Sequence, residues 1–259
     1  MAAALALYGL WVLTTCLMEG LPNTLLRPEA HGLRIAYTTV ANLIVGTLGS
    51  MLLLRRLVLT GAVTAPEAGF GRPRRSVVSV TLGAVLGAAF LAAQDPPAVP
   101  LVVIINVFAQ VLPVSIAEVL VCWSIIGSVA VSSVDQRAGR TINAIVLTAV
   151  ASVAFGVYHV GHSPPFNSPT MIALLTAVGV VTSAVFLALR DVYGTVMFHN
   201  FLAVHGVLRT LIETGKVTEY ATPMAPLLIT GIGSVALLMV ARMLVLRDAT
   251  PRRQGLTTR

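Results

Sequence analysis

Charged side chains are scarce in this sequence. Only 10% of its 259 residues are Asp, Glu, Lys or Arg, whereas 56% are hydrophobic. A soluble domain carries about a quarter charged residues, so this chain has too few of them to cover a water-facing surface. Its mean hydropathy of +0.89 indicates that lipid is the solvent, and it argues against a soluble enzyme or a soluble binding domain.

Cysteine and strand-like alternation are also lacking. The two cysteines, Cys16 and Cys122, lie inside apolar runs and are interpreted as small buried hydrophobes rather than as a disulfide or a metal-binding pair. A transmembrane barrel would alternate polar and apolar residues in segments of about 10. The chain instead has continuous apolar runs of the length that a membrane helix needs, about 20 residues.

Eight such runs predict an all-α fold, a polytopic transmembrane bundle of about eight helices. The predicted spans are Ala2–Met18, Ile35–Leu54, Val77–Ala93, Val99–Val131, Ile142–Val160, Met171–Leu189, Val192–Leu211 and Pro226–Leu246. We interpret residues 1–246 as one membrane domain and 247–259 as a basic tail, with a removable signal peptide as the alternative for the first run. Pro113 lies inside the overlong fourth run and predicts a kink or break there, and we interpret the run as one long, kinked or tilted span.

The formal net charge of +7 comes from arginines that flank the spans instead of covering one face. This pattern predicts no nucleic-acid partner. By the positive-inside rule it places the Arg55–Arg75 loop, the basic tail and both chain termini in the cytoplasm. The near absence of lysine, with Lys216 as the single one, and the abundance of Ala, Val and Arg favour a bacterial plasma membrane.

Of the ten carboxylates, one falls in the middle of a span. Glu118 interrupts the fourth run, and the others lie at span ends or in loops. An ionisable group at the bilayer centre costs about 2.5–3.5 kcal/mol even on a lenient scale, so such a residue usually faces the bundle interior and has a function. Asn106 and Gln110 are expected on the same inward stripe. A protonated Glu118 that merely hydrogen-bonds a neighbouring helix is the alternative.

Histidines provide the second signal. Phe155 and His159 end the fifth span in a Phe-x-x-x-His pattern, and His199 and Asn200 are adjacent within the seventh. A single buried histidine is more often a satisfied core residue, but two of them with a buried glutamate can polarise a water molecule or hold a metal. His205 falls on a different helix face from His199 and is left out of the candidate site.

These residues resemble the CAAX-protease and bacteriocin-processing family of intramembrane endopeptidases. The motifs of that family are Glu-Glu-x-x-x-Arg, Phe-x-x-x-His and His-x-x-x-Asn, and its fold has eight membrane helices. Glu118, the Phe155–His159 pair and His199 match in order and spacing over residues 99–209. The chain departs from the pattern at Val119, Trp123 and Ala203, where the family has Glu, Arg and Asn.

The resemblance implies a catalytic set of Glu118, His159, His199 and Asn200. Glu118, aided by His159, would activate a water molecule for attack on a peptide carbonyl, and His199 with Asn200 would donate to the oxyanion. No cofactor is required, although Glu118, His159 and His199 also have the number of ligands that a zinc site needs. The implied substrate is a membrane-associated peptide or a lipidated protein, within the lipid bilayer.

Two further interpretations stay open at this point. The departures from the motifs suit a catalytically silent relative that acts as a membrane binding or immunity protein. A small proton-coupled transporter would use Glu118 and His159 as a relay. The predicted topology also separates His159, at one end of its span, from His199, near the other end, so we expect the Gly161–Pro169 segment to dip into the bundle beside a cavity.

Overall fold

The computed structural model describes residues 1–24, 27, 30–71, 73–94, 98–134 and 139–248. Within these residues, eight helices are long and apolar enough to cross a membrane. In chain order they are α1 (Ala2–Gly20), α2 (Gly32–Leu59), α3 (Pro73–Ala93), α4 (Leu101–Ser132), α5 (Arg140–Gly161), α6 (Pro169–Leu189), α7 (Val192–Glu213) and α8 (Ala225–Asp248). The chain is an integral membrane protein.

The prediction of an all-α bundle of about eight helices is confirmed, and most span ends agree within a few residues. The largest difference is at α2, which continues through Arg55 and Arg56 to Leu59, because charged side chains at a membrane boundary do not end a helix. α8 continues to Asp248. Several predicted loop and tail features, Glu29, Arg72, Asp95, Asp135, Arg137 and residues 249–259, lie outside the described residues.

Helix α4 is the centre of the bundle. Of its most apolar window of 18 residues, 94% are buried, whereas the next most enclosed helix, α7, reaches 61%. Pro113 was expected to kink or break the fourth run, and the structure shows one long helix that passes through this residue without a break. The irregular part of α4 lies one to four turns after Pro113, where Val119–Gly127 forms π-helical turns. Such turns often occur at functional sites, and here they begin directly after Glu118.

Two pairs of helices pack at backbone distance through glycine. A Cβ added to Gly83 of α3 would overlap the backbone of Gly194 in α7, and a Cβ added to Gly156 of α5 would overlap the side chain of Thr176 in α6. Small residues allow this approach in membranes, where packing rather than the hydrophobic effect drives helix association. α3 with α7 and α5 with α6 are therefore closely joined pairs, and the end of α1 approaches the end of α5 in the same way at Gly20 and Gly161.

Because successive spans alternate in direction, most arginines of the described residues collect on one side. We call this side the arginine-rich face and the opposite side the distal face. The face is defined by the helix ends that carry Arg55, Arg56, Arg74, Arg75, Arg140 and Arg190. A fully buried carboxylate, Asp191, joins three helices there: it accepts from Ser76 Oγ of α3 at 2.6 Å, and Ser76 Oγ in turn accepts from Arg242 of α8 at 2.9 Å.

We expect Gly83→Ala to lower the free energy of unfolding by about 1–3 kcal/mol, because the new methyl group forces α3 and α7 apart. The matched control is Gly233→Ala in α8, where a Cβ meets nothing within 4 Å and alanine favours the helix by up to about 1 kcal/mol. Thermal unfolding in detergent, followed by tryptophan fluorescence, measures both. Equal destabilisation of the two variants would contradict the close crossing.

Candidate active site

Glu118 contacts two histidines from two other helices. Its Oε2 atom lies 3.0 Å from Nε2 of His199 on α7, and its Oε1 atom lies 3.7 Å from Nε2 of His159 on α5. All three side chains are at least nine-tenths buried. The structure therefore brings together three of the four residues that the sequence singled out, with one carboxylate oxygen facing each imidazole.

The ring of His159 turns back along its own helix. Its Nδ1 atom donates to the carbonyl oxygen of Phe155, one turn earlier, at 2.9 Å. Side chains on a helix lean toward its N-terminus, and the ring of Phe155 lies 4.9 Å from both imidazoles between centroids. This orientation brings His159 and His199 to the same carboxylate, although their backbones lie at different depths. Because Nδ1 holds a proton, Nε2 of neutral His159 presents a lone pair toward Glu118.

His199 is held on both of its nitrogens. Nε2 contacts Glu118, and Nδ1 lies 3.0 Å from the hydroxyl of Thr182 on α6. Such a partner on the second nitrogen fixes the orientation of an imidazole. Trp123, which stands where the resembled family has Arg, packs its ring 5.6 Å from His199 and donates its indole N–H to Ser183 at 2.8 Å. Neither Thr182 nor Ser183 was suggested by the sequence.

Asn200 takes a different direction from the other candidate residues. Its amide donates to the carbonyl of Phe108 on α4 at 3.3 Å, and its buried Oδ1 atom has no hydrogen-bond partner among the described residues. The described contacts of Asn200 therefore do not join it to Glu118 or to either histidine. His205, which the sequence analysis left out, lies beside Phe90 at 6.1 Å between ring centroids.

A second carboxylate–histidine pair adjoins the first, and the sequence analysis missed it. Glu19 ends the apolar run of α1 and was placed outside the membrane interior, but its side chain is fully buried. Its carboxylate lies 3.1 Å from Nδ1 of His162 and accepts from the backbone N–H and the hydroxyl of Ser163. The His162 ring stacks on His159 with centroids 5.0 Å apart. Only the tertiary packing of α1 against α5 reveals this pair.

The segment after α5 enters the bundle in part. Gly161, His162 and Ser163 are buried, whereas Pro164 is exposed. Glu19 accounts for this difference, because its carboxylate supplies the hydrogen bonds that non-helical backbone needs away from water. The expected inward dip is therefore confined to the first residues after His159.

Glu118, His159 and His199 line a cavity of about 550 Å³. It extends toward the distal face between apolar residues of α6, such as Leu174 and Val178, and residues of α7. Another cavity, of about 570 Å³ between α4 and α8, is lined by apolar residues and glycine. The lining of the first cavity therefore includes side chains that can act as acids and bases, whereas the lining of the second does not.

Zinc was considered from the sequence because Glu118, His159 and His199 match a ligand set in number. Among the described residues, no group of three or more His, Cys, Asp or Glu side chains is arranged to hold a metal ion.

Comparison of the chain with protein-family models, with curated proteins and with solved structures gives no match. The resemblance to the CAAX-protease and bacteriocin-processing family therefore rests on the sequence motifs at Glu118, Phe155–His159 and His199.

We expect Thr182→Val to weaken the fold and the site together. The substitution keeps the side-chain volume but leaves Nδ1 of buried His199 without its partner, and an unsatisfied buried polar group costs about 1–3 kcal/mol. Thermal unfolding measures the loss, and ¹⁵N NMR of the imidazole nitrogens reports the changed state of His199. The control is Thr230→Val, because the hydroxyl of Thr230 is bonded to its own helix at a half-buried position away from the site. An unchanged His199 spectrum would contradict the role of Thr182.

Proposed function

We propose that the protein is an intramembrane endopeptidase of the CAAX-protease type, with Glu118 as the general base. The observation that carries this proposal is the contact of one buried carboxylate with His159 and His199 at the base of a cavity. General acid–base catalysis requires such groups within hydrogen-bond reach of a water molecule.

The reaction begins with a water molecule beside Glu118 Oε1 and His159 Nε2. Glu118 takes a proton from this water while the water oxygen bonds to the carbonyl carbon of the scissile peptide. Breakage of the C–N bond then returns the proton to the leaving amine. His159 shares the proton during this cycle, because its Nε2 atom is free to accept one. A low-dielectric site favours the neutral carboxylic acid, and a neighbouring imidazole offsets this preference.

The position of His199 favours a supporting role. Its Nε2 atom is already bonded to Glu118, so it holds the carboxylate in place, and it would have to leave Glu118 in order to donate to an oxyanion. Oxyanion stabilisation by His199 and Asn200, which the family resemblance implies, therefore requires a rearrangement when substrate binds. The proposed substrate is a membrane-associated peptide or a lipidated protein in a bacterial plasma membrane, with both chain termini in the cytoplasm.

A catalytically silent relative is one alternative. The observation that favours it is Trp123, whose bulky ring packs beside His199 where the resembled family has a charged Arg. Such a protein would use the cavity for binding alone, as a membrane immunity protein or a partner-shielding protein does.

A proton-coupled transporter is the other alternative. Two carboxylate–histidine pairs meet through the stacked rings of His159 and His162. A transporter would pass protons between Glu118 and Glu19 along this row, and its flux would depend on pH.

We expect Glu118→Gln to abolish peptide cleavage, with a loss on the order of 10²–10⁴-fold that is typical of a general base. New peptide N-termini in membranes of cells that produce each variant are counted by mass spectrometry after N-terminal labelling. The matched control is Glu219→Gln, the same substitution at an exposed distal position, which retains cleavage. Equal thermal stability of the two variants excludes misfolding as the cause.

Three results separate the candidate functions. Cleavage that persists in Glu118→Gln contradicts the peptidase proposal. Absence of cleavage in the parent protein, together with a pH-dependent flux in proteoliposomes that Glu118→Gln removes, supports the transporter. Absence of both activities supports the silent relative.

A further inference from the structure

The cavity at Glu118 is closed toward the arginine-rich face. On that side of the carboxylate, Trp123 of α4 donates to Ser183 of α6 at 2.8 Å, and Ser183 lies 3.2 Å from the hydroxyl of Ser152 on α5. All three residues are fully or nearly fully buried. This hydrogen-bonded layer joins α4, α5 and α6 beneath the reacting groups, so a substrate cannot reach them from the arginine-rich face without breaking it.

The cavity is open in the opposite direction. Its lining includes both His199 and Glu213 of α7, which are 14 residues apart and therefore about 21 Å apart along the helix axis. Glu213 is the last residue of α7, so the cavity reaches the distal face. Its other wall is α6, where Leu174 lines the cavity and is 56% exposed, so the cavity is open along a membrane span at this residue. Such a wall borders lipid.

The chemistry of the lining changes with depth. The base carries Glu118 with His159, His162 and His199, most of the lining above it is apolar apart from His205, and the distal mouth is polar, with Gln94, Arg209 and Glu213. The side chains of Arg209 and Glu213 pair with each other and are 72% and 60% exposed. An apolar section beneath a hydrated mouth suits an amphipathic ligand that lies in a membrane leaflet with its polar end at the surface.

We propose that the substrates are peptide segments inserted in the non-cytoplasmic leaflet, and that they enter between α6 and α7 with their polar end at the distal face. The side of access follows from the closed base, the distal mouth and the positive-inside rule, which assigns the arginine-rich face to the cytoplasm. The class of substrate rests on the proposed peptidase function, whereas the route of access does not.

Gly206 provides a direct probe of this route. It lines the cavity on α7, and a Cβ added there meets nothing within 4 Å. The Gly206→Cys substitution is introduced into a chain that also carries Cys16→Ser. Intact cells that produce this variant are treated with a membrane-impermeant maleimide. The Cys16→Ser chain without a further substitution keeps the buried Cys122, and its labelling gives the background. Two controls use glycines with equally open surroundings: Gly139→Cys before α5 on the arginine-rich face, and Gly233→Cys on the exposed side of α8.

We expect Gly206→Cys to react from outside the cell about tenfold or more faster than Gly233→Cys, since only a hydrated thiol forms the reactive thiolate. Gly139→Cys should react only after the membrane is permeabilised. Reaction of Gly206→Cys only after permeabilisation, or at no greater rate than Gly233→Cys, would overturn the proposed route. This readout needs no substrate, so it stands apart from a failure of the peptidase proposal.

Gly206→Leu tests the substrate class. The added side chain fills the cavity without touching the acid–base groups, so cleavage of membrane-inserted segments should fall at least tenfold by loss of binding. Gly233→Leu is the matched control and should cleave like the parent chain. Cleavage that is unchanged in Gly206→Leu would overturn the substrate class, even where labelling supports the route.

Discussion

Glu118 lies on the most enclosed helix of the bundle, at a depth that lipid headgroups do not reach. A carboxylate there must find its partners within the protein, because an unpaired buried charge is far more costly than a paired one. His199 comes from α7 and His159 from α5, while Thr182 of α6 supports His199 from behind. Four helices therefore converge on one side chain. The need of this buried carboxylate for partners within the protein therefore links the enclosure of α4 to the acid–base geometry of the site.

The spans and the chief candidates could be predicted because lipid imposes simple rules. A continuous apolar run must be a helix, and a carboxylate inside such a run must face inward. Glu118 was identified in this way, and His159 and His199 followed from their placement in spans. The geometry that joins them could not be predicted, since it depends on the i−4 hydrogen bond of His159 to Phe155 and on the way α5 and α7 pack around α4.

The features that could not be predicted from the sequence have a common cause. Glu19 and Asp191 lie at span ends, where a sequence offers no distinction between a carboxylate in water and one turned into the bundle, yet both are fully buried. Thr182 and Ser183 look like ordinary small polar residues of an apolar helix. Pro113 was expected to kink or break the fourth span, and α4 continues through it as one helix. In each case the outcome is decided by neighbouring helices, which leave no trace in a single sequence.

The two glycine-mediated crossings divide the helices around the cavity into two closely packed pairs. α3 and α7 are joined by backbone contact at Gly83, and α5 and α6 are joined at Gly156. The pairs are connected at the turn between α6 and α7, where Arg190 adopts a left-handed conformation with φ of 47°. His159 belongs to one pair and His199 to the other. The position of both imidazoles against Glu118 therefore depends on how the two pairs pack together, so a substitution that shifts one pair against the other would also change the distances from His159 and His199 to the carboxylate.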